Sequence, residues 1–411
     1  MLNIVSLLLV LTATFAYLTH RYTALPTTIG VMVSALVLSL ALAGLDKLGL
    51  SALKTYEDSL LRSIDFSAVL LQGMLSLLLF AGALHVDLKK LKKHLWQVGA
   101  LALLGTIAST LLIGLGCYYL LGLAGIALSP AYCLLFGALI SPTDPIAVLG
   151  ILKSAKVPQS LEITMTGESL LNDGVGVVLF GLLLEMITRG TPPTVMDALE
   201  LFGREAIGGA LLGFVVGYFS YRMLKQIDNY QTEVLITLAT VMGGYTMANE
   251  LHVSGPIAMV VVGLLIGNQG RALAMSDQTR QYLDMFWELV DGILNGVLFV
   301  LMGLEIAVIA FPDKSLLAAI MIIVITLAAR LLVAGAPVAI WNRWFALPRG
   351  AALVLTWGGL RGGISVALAL SLPPGRESEV IVMLTYSVVL FSIIGQGLTV
   401  GALARATTRA R

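Results

Sequence analysis

Residues 167–174 read Gly-Glu-Ser-Leu-Leu-Asn-Asp-Gly, and apolar sequence runs on either side of them. Glu168, Asn172 and Asp173 must therefore be held in or near hydrocarbon. A charge at the centre of a membrane helix costs roughly 2.5–3.5 kcal/mol on insertion scales, so acids in such a place are kept for a function. A second acid, Asp144, stands upstream in Ser141-Pro-Thr-Asp-Pro145, again inside an apolar run. Carboxylates in a membrane beside a helix broken by two prolines point to a cation site.

Composition sets the frame for that site. The 411 residues are 58% hydrophobic and only 12% charged, with a mean hydropathy of +0.94. A soluble domain carries about twice that charged fraction. The reading is an all-α polytopic membrane protein with little mass outside the bilayer. A net charge of +1 says nothing about nucleic acid, no basic block or aromatic-basic interleaving supports such a partner, and none is expected. No glycine-rich phosphate loop offers a nucleotide site, so an ion gradient must supply any energy. His20, His85, His94 and His252 lack metal-ligand spacing, and no cofactor is expected. Cys117 and Cys133 fall in separate apolar segments and read as buried thiols. The apolar run from Leu2 to Leu18 has no basic residue before it and reads as a first spanning helix, not a cleaved leader.

Apolar runs of spanning length, about 17–25 residues, are placed near 2–18, 27–44, 67–86, 95–121, 130–152, 160–188 and 197–222. A second set lies near 229–249, 255–269, 283–310, 315–342, 349–372 and 379–404. That makes thirteen. With the N-terminus outside, one side holds Arg21, Lys89, Lys90, Lys92, Lys93, Lys153, Lys156, Arg222, Lys225, Arg271, Arg280, Arg343, Arg349, Arg405, Arg409 and Arg411. The other holds Lys47, Lys54, Arg62, Arg189, Arg204, Lys314 and Arg376. Sixteen basic residues against seven put the first side, and the C-terminus, in the cytoplasm.

An odd count allows two inverted halves around one central helix. The break at Ser141–Pro145 then has a counterpart in Trp357-Gly-Gly-Leu-Arg-Gly-Gly363. Paired interrupted helices are the best sequence pointer to a transport site. Pro142 and Pro145 remove amide donors and push Ser141 and Asp144 out of helical geometry. Four glycines permit similar unwinding at 358–363. Half-helix ends carry partial charges. Asp144 is expected to offset the positive ends and Arg361 the negative ones.

Glu168 and Asn172 are four residues apart, as are Ser169 and Asp173, so each pair lines one stripe of a helix. Asp173 is the candidate ion-binding carboxylate. It can hold Na⁺ or a proton, and competition for one group is the simplest way to couple two ions. Thr143, Ser169 and freed carbonyls would complete the shell. Glu168 needs a partner, and Arg330, alone in the run Leu316–Ile340, is the candidate for a structural ion pair. Glu305 reads as an interfacial residue near a helix end.

Taken together, these strings resemble the first family of the monovalent cation/proton antiporter superfamily, the bacterial Na⁺/H⁺ exchangers related to the eukaryotic sodium/proton exchangers. The matching strings are Ser141–Pro145, Gly167–Gly174, Phe299-Val-Leu-Met-Gly-Leu-Glu305 and Trp357–Gly363. The resemblance implies the antiporter fold with two crossed broken helices, and a homodimer in a cell inner membrane. It implies a moving core bundle at 95–188 and 315–404 against a dimer and scaffold region at 1–94 and 197–310. Asp173 resembles the ion and proton site, with Thr143, Asp144 and Ser169 as near ligands. Asn172 resembles the neutral first member of an Asn-Asp pair, which goes with electroneutral one-for-one exchange. One departure stands out. Many relatives carry a Glu where this chain has Ala81, in Leu79-Phe-Ala-Gly-Ala83. The short tail after the last span is read as lacking regulatory domains.

The leading expectation is exchange of Na⁺ or Li⁺ for H⁺, with K⁺/H⁺ exchange as the alternative. A cation channel would show a selectivity-filter string. An intramembrane aspartyl protease would show Gly-x-Gly-Asp. Neither string is present, and an enzyme is not expected.

Overall fold

In the computed structural model, the described residues are 2–23, 25–48, 65–123, 125–144, 157–189, 195–305, 315–340 and 350–407, with 148, 150, 152, 347 and 348 between them. Among the described residues every regular element is a helix. Pro145, Lys54, Arg62, Lys153, Lys156, Lys314, Arg343, Arg349, Arg409 and Arg411, which carry part of the break and loop-charge argument, lie outside them.

Among the described residues, ten helices are long and apolar enough to cross a bilayer: Asn3–Tyr22, Thr27–Asp46, Phe66–Leu84, Leu95–Leu123, Gln159–Arg189, Glu200–Leu224, Gly255–Ala274, Asp277–Glu305, Leu316–Ile340 and Arg376–Thr407. The other three expected spans take different forms. Tyr230–Glu250 is a 21-residue helix of more polar sequence. The 130–152 segment contains the short helix Pro130–Ile140, which ends where 141–144 turn non-helical. The 349–372 segment is two pieces, Ala351–Trp357 and Gly363–Leu370, with 358–362 unwound between them.

Several helices run past their expected bounds, 2–18 to Tyr22 and 255–269 to Ala274 among them, and one start moves furthest. The helix placed at 283–310 begins at Asp277, because Ser276 Oγ accepts the Thr279 amide at 3.3 Å and starts it there. Hydropathy misses these turns because Asp277, Gln278, Arg280 and Gln281 are polar. A second feature has no hydropathy signal at all. Residues 69–74, 101–105, 266–270, 331–335 and 391–396 form π-helical turns inside long helices. Such turns shift the register of the residues after them and often mark functional positions.

Packing follows the small residues. Thr27–Lys47 lies along Asp277–Glu305, with Ser39 Oγ donating to the Leu304 carbonyl at 3.0 Å. Gly255–Leu265 packs against Leu75–Leu84 and Val195–Leu224. Gln159–Arg189 runs through the middle, touching Pro130–Ile140, Leu75–Leu84 and Gly363–Leu370. Its buried face is polar as well as apolar, with Thr164, Glu168, Ser169, Asn172 and Asp173 all buried. Cys117 and Cys133 are free and buried.

Candidate functional site

The two breaks meet each other. The Asp144 amide donates to the Leu360 carbonyl at 2.8 Å, joining the unwound segments backbone to backbone. Non-helical backbone at membrane depth must find partners within the protein, and this bond is one of them. Arg361, 2% exposed, donates from Nη1 to the carbonyls of Pro142 and Gly359, both at 3.3 Å. Its guanidinium thus lies at the carbonyl end of Pro130–Ile140. The Asp144 side chain rests against Gly362, where a Cβ would come within 2.7 Å of the Asp144 Cβ and 2.8 Å of its Cγ. The acid therefore stands at the amide end of Gly363–Leu370, where a negative charge is favoured.

The unwound segment is tied to the Gln159–Arg189 helix through Thr143. Asn172 Nδ2 donates to Thr143 Oγ1 at 2.9 Å, and the Thr143 amide donates to Asn172 Oδ1 at 3.3 Å. Ser169 Oγ donates to the Thr143 carbonyl. Asn172 and Thr143 therefore spend their polar groups on each other.

Asp173 faces the other way. It lines a cavity of about 450 Å³ together with Asp144, Ser169, Glu162 and Asp291. The residue is 9% exposed, and no hydrogen bond from another described residue engages its carboxylate. Of the five residues assigned to ion binding, Asp144, Ser169 and Asp173 line this cavity, and Thr143 and Asn172 stand behind it. Toward the surface the cavity is lined by Asp87 and Lys90, an ion pair at 3.6 Å with both side chains 45% exposed. Asp87 caps Leu88–Lys93 by accepting the amides of Lys89 at 2.9 Å and Lys90 at 3.2 Å. The Lys90 amide bond holds its carboxyl below the usual carboxylate range. Ala81, the departure that the resemblance singled out, is buried outside the lining.

Glu168 and Arg330 form a two-toothed pair. Arg330 Nη1 donates to Oε1, and Nη2 donates to Oε2 at 3.0 Å. Arg330 Nε reaches the Leu355 carbonyl at 3.1 Å, so the pair also braces Ala351–Trp357. Glu168 is 1% exposed and Arg330 6%. Glu305, the last residue of its helix, is half-buried.

Two residues at the site escape a sequence reading. Gln396 Nε2 donates to the Trp357 carbonyl at 3.0 Å, closing the open end of Ala351–Trp357. Ser392 Oγ accepts the Arg361 amide at 2.9 Å. Both lie in the π-helical turn 391–396, and a polar pair in an otherwise apolar run is the only signal for them. Among the described residues no group of three or more His, Cys, Asp or Glu side chains is arranged to hold a resident metal.

The chain matches the family model described as "Sodium/hydrogen exchanger, transmembrane" over residues 7–406. It is 51% identical over 409 residues to the Na(+)/H(+) antiporter NhaP of Pseudomonas aeruginosa, covering 98% of this chain and 96% of that one. It is 38% identical to the Na(+)/H(+) antiporter NhaH of Halobacillus dabanensis, covering 88% and 89%. Its fold is similar to that of the sodium proton antiporter MjNhaP1 from Methanocaldococcus jannaschii, with a TM-score of 0.79 at 18% identity, over 100% of this chain and 99% of that one.

Proposed function

Because this chain belongs to the transmembrane sodium/hydrogen exchanger family, we propose that it exchanges Na⁺ or Li⁺ for H⁺, one for one, at Asp173. One observation carries the reading. Asp173 presents its carboxylate to an access cavity, with no hydrogen bond from a described residue to satisfy it. Such a group takes either a proton or a hard cation, and oxygen ligands suit Na⁺ and Li⁺. The NhaP and NhaH relatives are named for Na⁺, which supports it over K⁺.

The charges at the crossing support the stoichiometry. Glu168 is matched by Arg330, while Arg361 serves the carbonyl end of one break and Asp144 stands at the amide end of the other. Asp173 is the buried carboxylate at the crossing with no hydrogen bond from a described residue, so one monovalent ion would balance it. The Na⁺-loaded and H⁺-loaded forms carry equal charge. Both can cross the membrane barrier more cheaply than the bare carboxylate. Asn172 cannot titrate. Its part is to hold Thr143, and with it the unwound segment, against the helix that carries Asp173.

The cavity opens beside the lysines of 89–93, which the charge asymmetry assigns to the cytoplasm. The conformation is therefore read as open to the cytoplasm. Release on the far side requires the bundle 95–188 and 315–404 to move against 1–94 and 197–310. The setting is a multi-pass bacterial inner-membrane protein working as a homodimer.

Asp173→Asn tests the reading. It keeps the volume and removes the titrating group. In proteoliposomes, cation-driven pH change should vanish for Na⁺ and Li⁺ while the detergent melt stays near wild type. Full exchange in this variant would remove Asp173 from the mechanism. A K⁺ arm in the same assay separates the two cation specificities.

A further inference from the structure

The cavity that reaches Asp173 has a second polar wall that the exchange reading leaves unused. It belongs to the helix Asp277–Glu305, where Asp291 and Asn295 both line the cavity. They stand four residues apart and so share one stripe of that helix. Deeper on the same wall, Leu298 packs against Gly363 at the break. Toward the mouth, the neighbour of Asp291 is His85, whose Nδ1 is taken by the Ala81 carbonyl at 2.8 Å. The order along the wall is therefore Asp291, Asn295, then the crossing.

Asn295 is 1% exposed. Its Nδ2 donates to the Asp291 carbonyl at 2.9 Å, which fixes the amide and leaves Oδ1 as its free end. That Oδ1 is buried and has no hydrogen-bond partner among the described residues. Leaving a buried acceptor unpaired costs about 1–3 kcal/mol, a cost that a ligand reaching this atom from the cavity would recover. Water would satisfy it. A cation would satisfy it better, because the half-buried Asp291 carboxylate one turn away makes no ion pair among the described residues.

We infer that Asp291 and Asn295 form a second monovalent-cation site, where an entering Na⁺ or Li⁺ trades part of its water shell for one carboxylate oxygen and one amide oxygen. The inference rests on the exchange reading for Asp173. Two protein oxygens and one charge suit a partly hydrated alkali cation. Divalent Ca²⁺ would take six or more oxygen ligands, several of them charged. A staged site also divides the dehydration cost, since the ion reaches Asp173 already stripped on one side.

The test has two arms. In proteoliposomes at constant ionic strength, held with choline chloride, Asp291→Asn should raise the KM for Na⁺ about tenfold, or ~1.4 kcal/mol, and lower turnover at saturating Na⁺ by a smaller factor. Asp291→Glu should bring KM back, and Asn295→Ala should raise it. Lost turnover with an unchanged KM would make Asp291 structural and overturn the site. So would a KM shift that disappears as choline is increased, since that marks a diffuse field screened over a Debye length. The second arm is a detergent melt in NaCl against choline chloride. Asp173→Asn should keep a Na⁺-specific rise in Tm, and Asp173→Asn/Asp291→Asn should lose it. No Na⁺-specific rise in Asp173→Asn, or an equal rise in both, overturns the inference. Wild-type exchange in Asp173→Asn would instead overturn the exchange reading, and the melt would still judge the second site.

Discussion

Arg361 Nη1 and the Pro142 carbonyl oxygen lie 3.3 Å apart, so a cation from one broken segment closes the carbonyl end of the other. Through this contact and the Asp144–Leu360 bond, the two halves of the chain share one crossing. The arginine lies 219 residues from the carbonyl it serves.

Removing that cation should unfold the crossing before it changes ion preference. Arg361→Ala frees the Pro142 and Gly359 carbonyls and takes a buried cation out of the crossing. Breaking one side of a buried charge arrangement costs about 3–5 kcal/mol. A clear fall in Tm and in folded yield is expected. Arg361→Lys should recover part of it, since it restores the charge without the planar fork. A wild-type melt for Arg361→Ala would show that the crossing holds by its backbone bonds alone.

The Glu168–Arg330 pair should behave as one unit. Arg330→Ala strands a carboxylate that is 1% exposed, and Glu168→Ala strands a guanidinium. Each should cost on the order of 3–5 kcal/mol. Glu168→Gln/Arg330→Met should melt above Arg330→Ala, because no unpaired charge is left. What exchange remains in folded Arg330→Ala should keep a near-normal KM for Na⁺. Strictly additive losses in the cycle, or lost transport with an unchanged melt, would assign the arginine to ion binding.

Glycine at 359 and 362 is required by close approach. A Cβ on Gly359 would stand 2.6 Å from Arg330 Nε, and one on Gly362 would stand 2.7 Å from the Asp144 Cβ. Gly359→Ala must displace the buried Arg330 and Gly362→Ala the half-buried Asp144, and overpacking of this kind typically costs about 1–3 kcal/mol. Gly181, on the Gln159–Arg189 helix, has nothing within 4 Å. Gly181→Ala should be neutral or gain up to about 1 kcal/mol from helix propensity. Equal melts for all three would mean the unwound segment repacks freely.

Exchange should not follow the membrane voltage. Imposed potentials from valinomycin and K⁺ gradients should leave the Na⁺-driven pH change unaltered. Asn172→Asp is the matched variant. A carboxylate there still accepts the Thr143 amide, now 3.3 Å from Asn172 Oδ1, so the tie to the break survives while a second acid is added. Voltage dependence should appear in that variant only if the new acid cycles its own proton. A wild-type rate that tracks voltage would point to a second titrating group, with Asp144, Glu168 and Asp291 to be tested in turn.

Much of this protein is written locally. Long apolar runs dictate membrane helices, because in hydrocarbon the backbone must satisfy its own hydrogen bonds. Pro142 and the glycines at 358–363 dictate the two breaks, since one residue type cannot donate an amide and the other tolerates unwinding. Acids and arginines kept in apolar runs announce themselves through their cost, and so Asp144, Glu168, Asp173, Arg330 and Arg361 stand out one by one. Their pairing is another matter. Glu168 and Arg330 are 162 residues apart, and no spacing rule links them. Gln396 and Ser392 are common polar residues on a helix, and only the π-helical turn 391–396 carries them to the end of Ala351–Trp357 and to the Arg361 amide. Asn295 reads as an ordinary helix residue until the fold places it in the wall of the Asp173 cavity with its oxygen unclaimed. Sequence determined which groups are too costly to be idle, because that cost is a property of each residue in its own segment. Tertiary structure alone decided which of them meet, because pairing depends on how helices far apart in the chain are packed side by side.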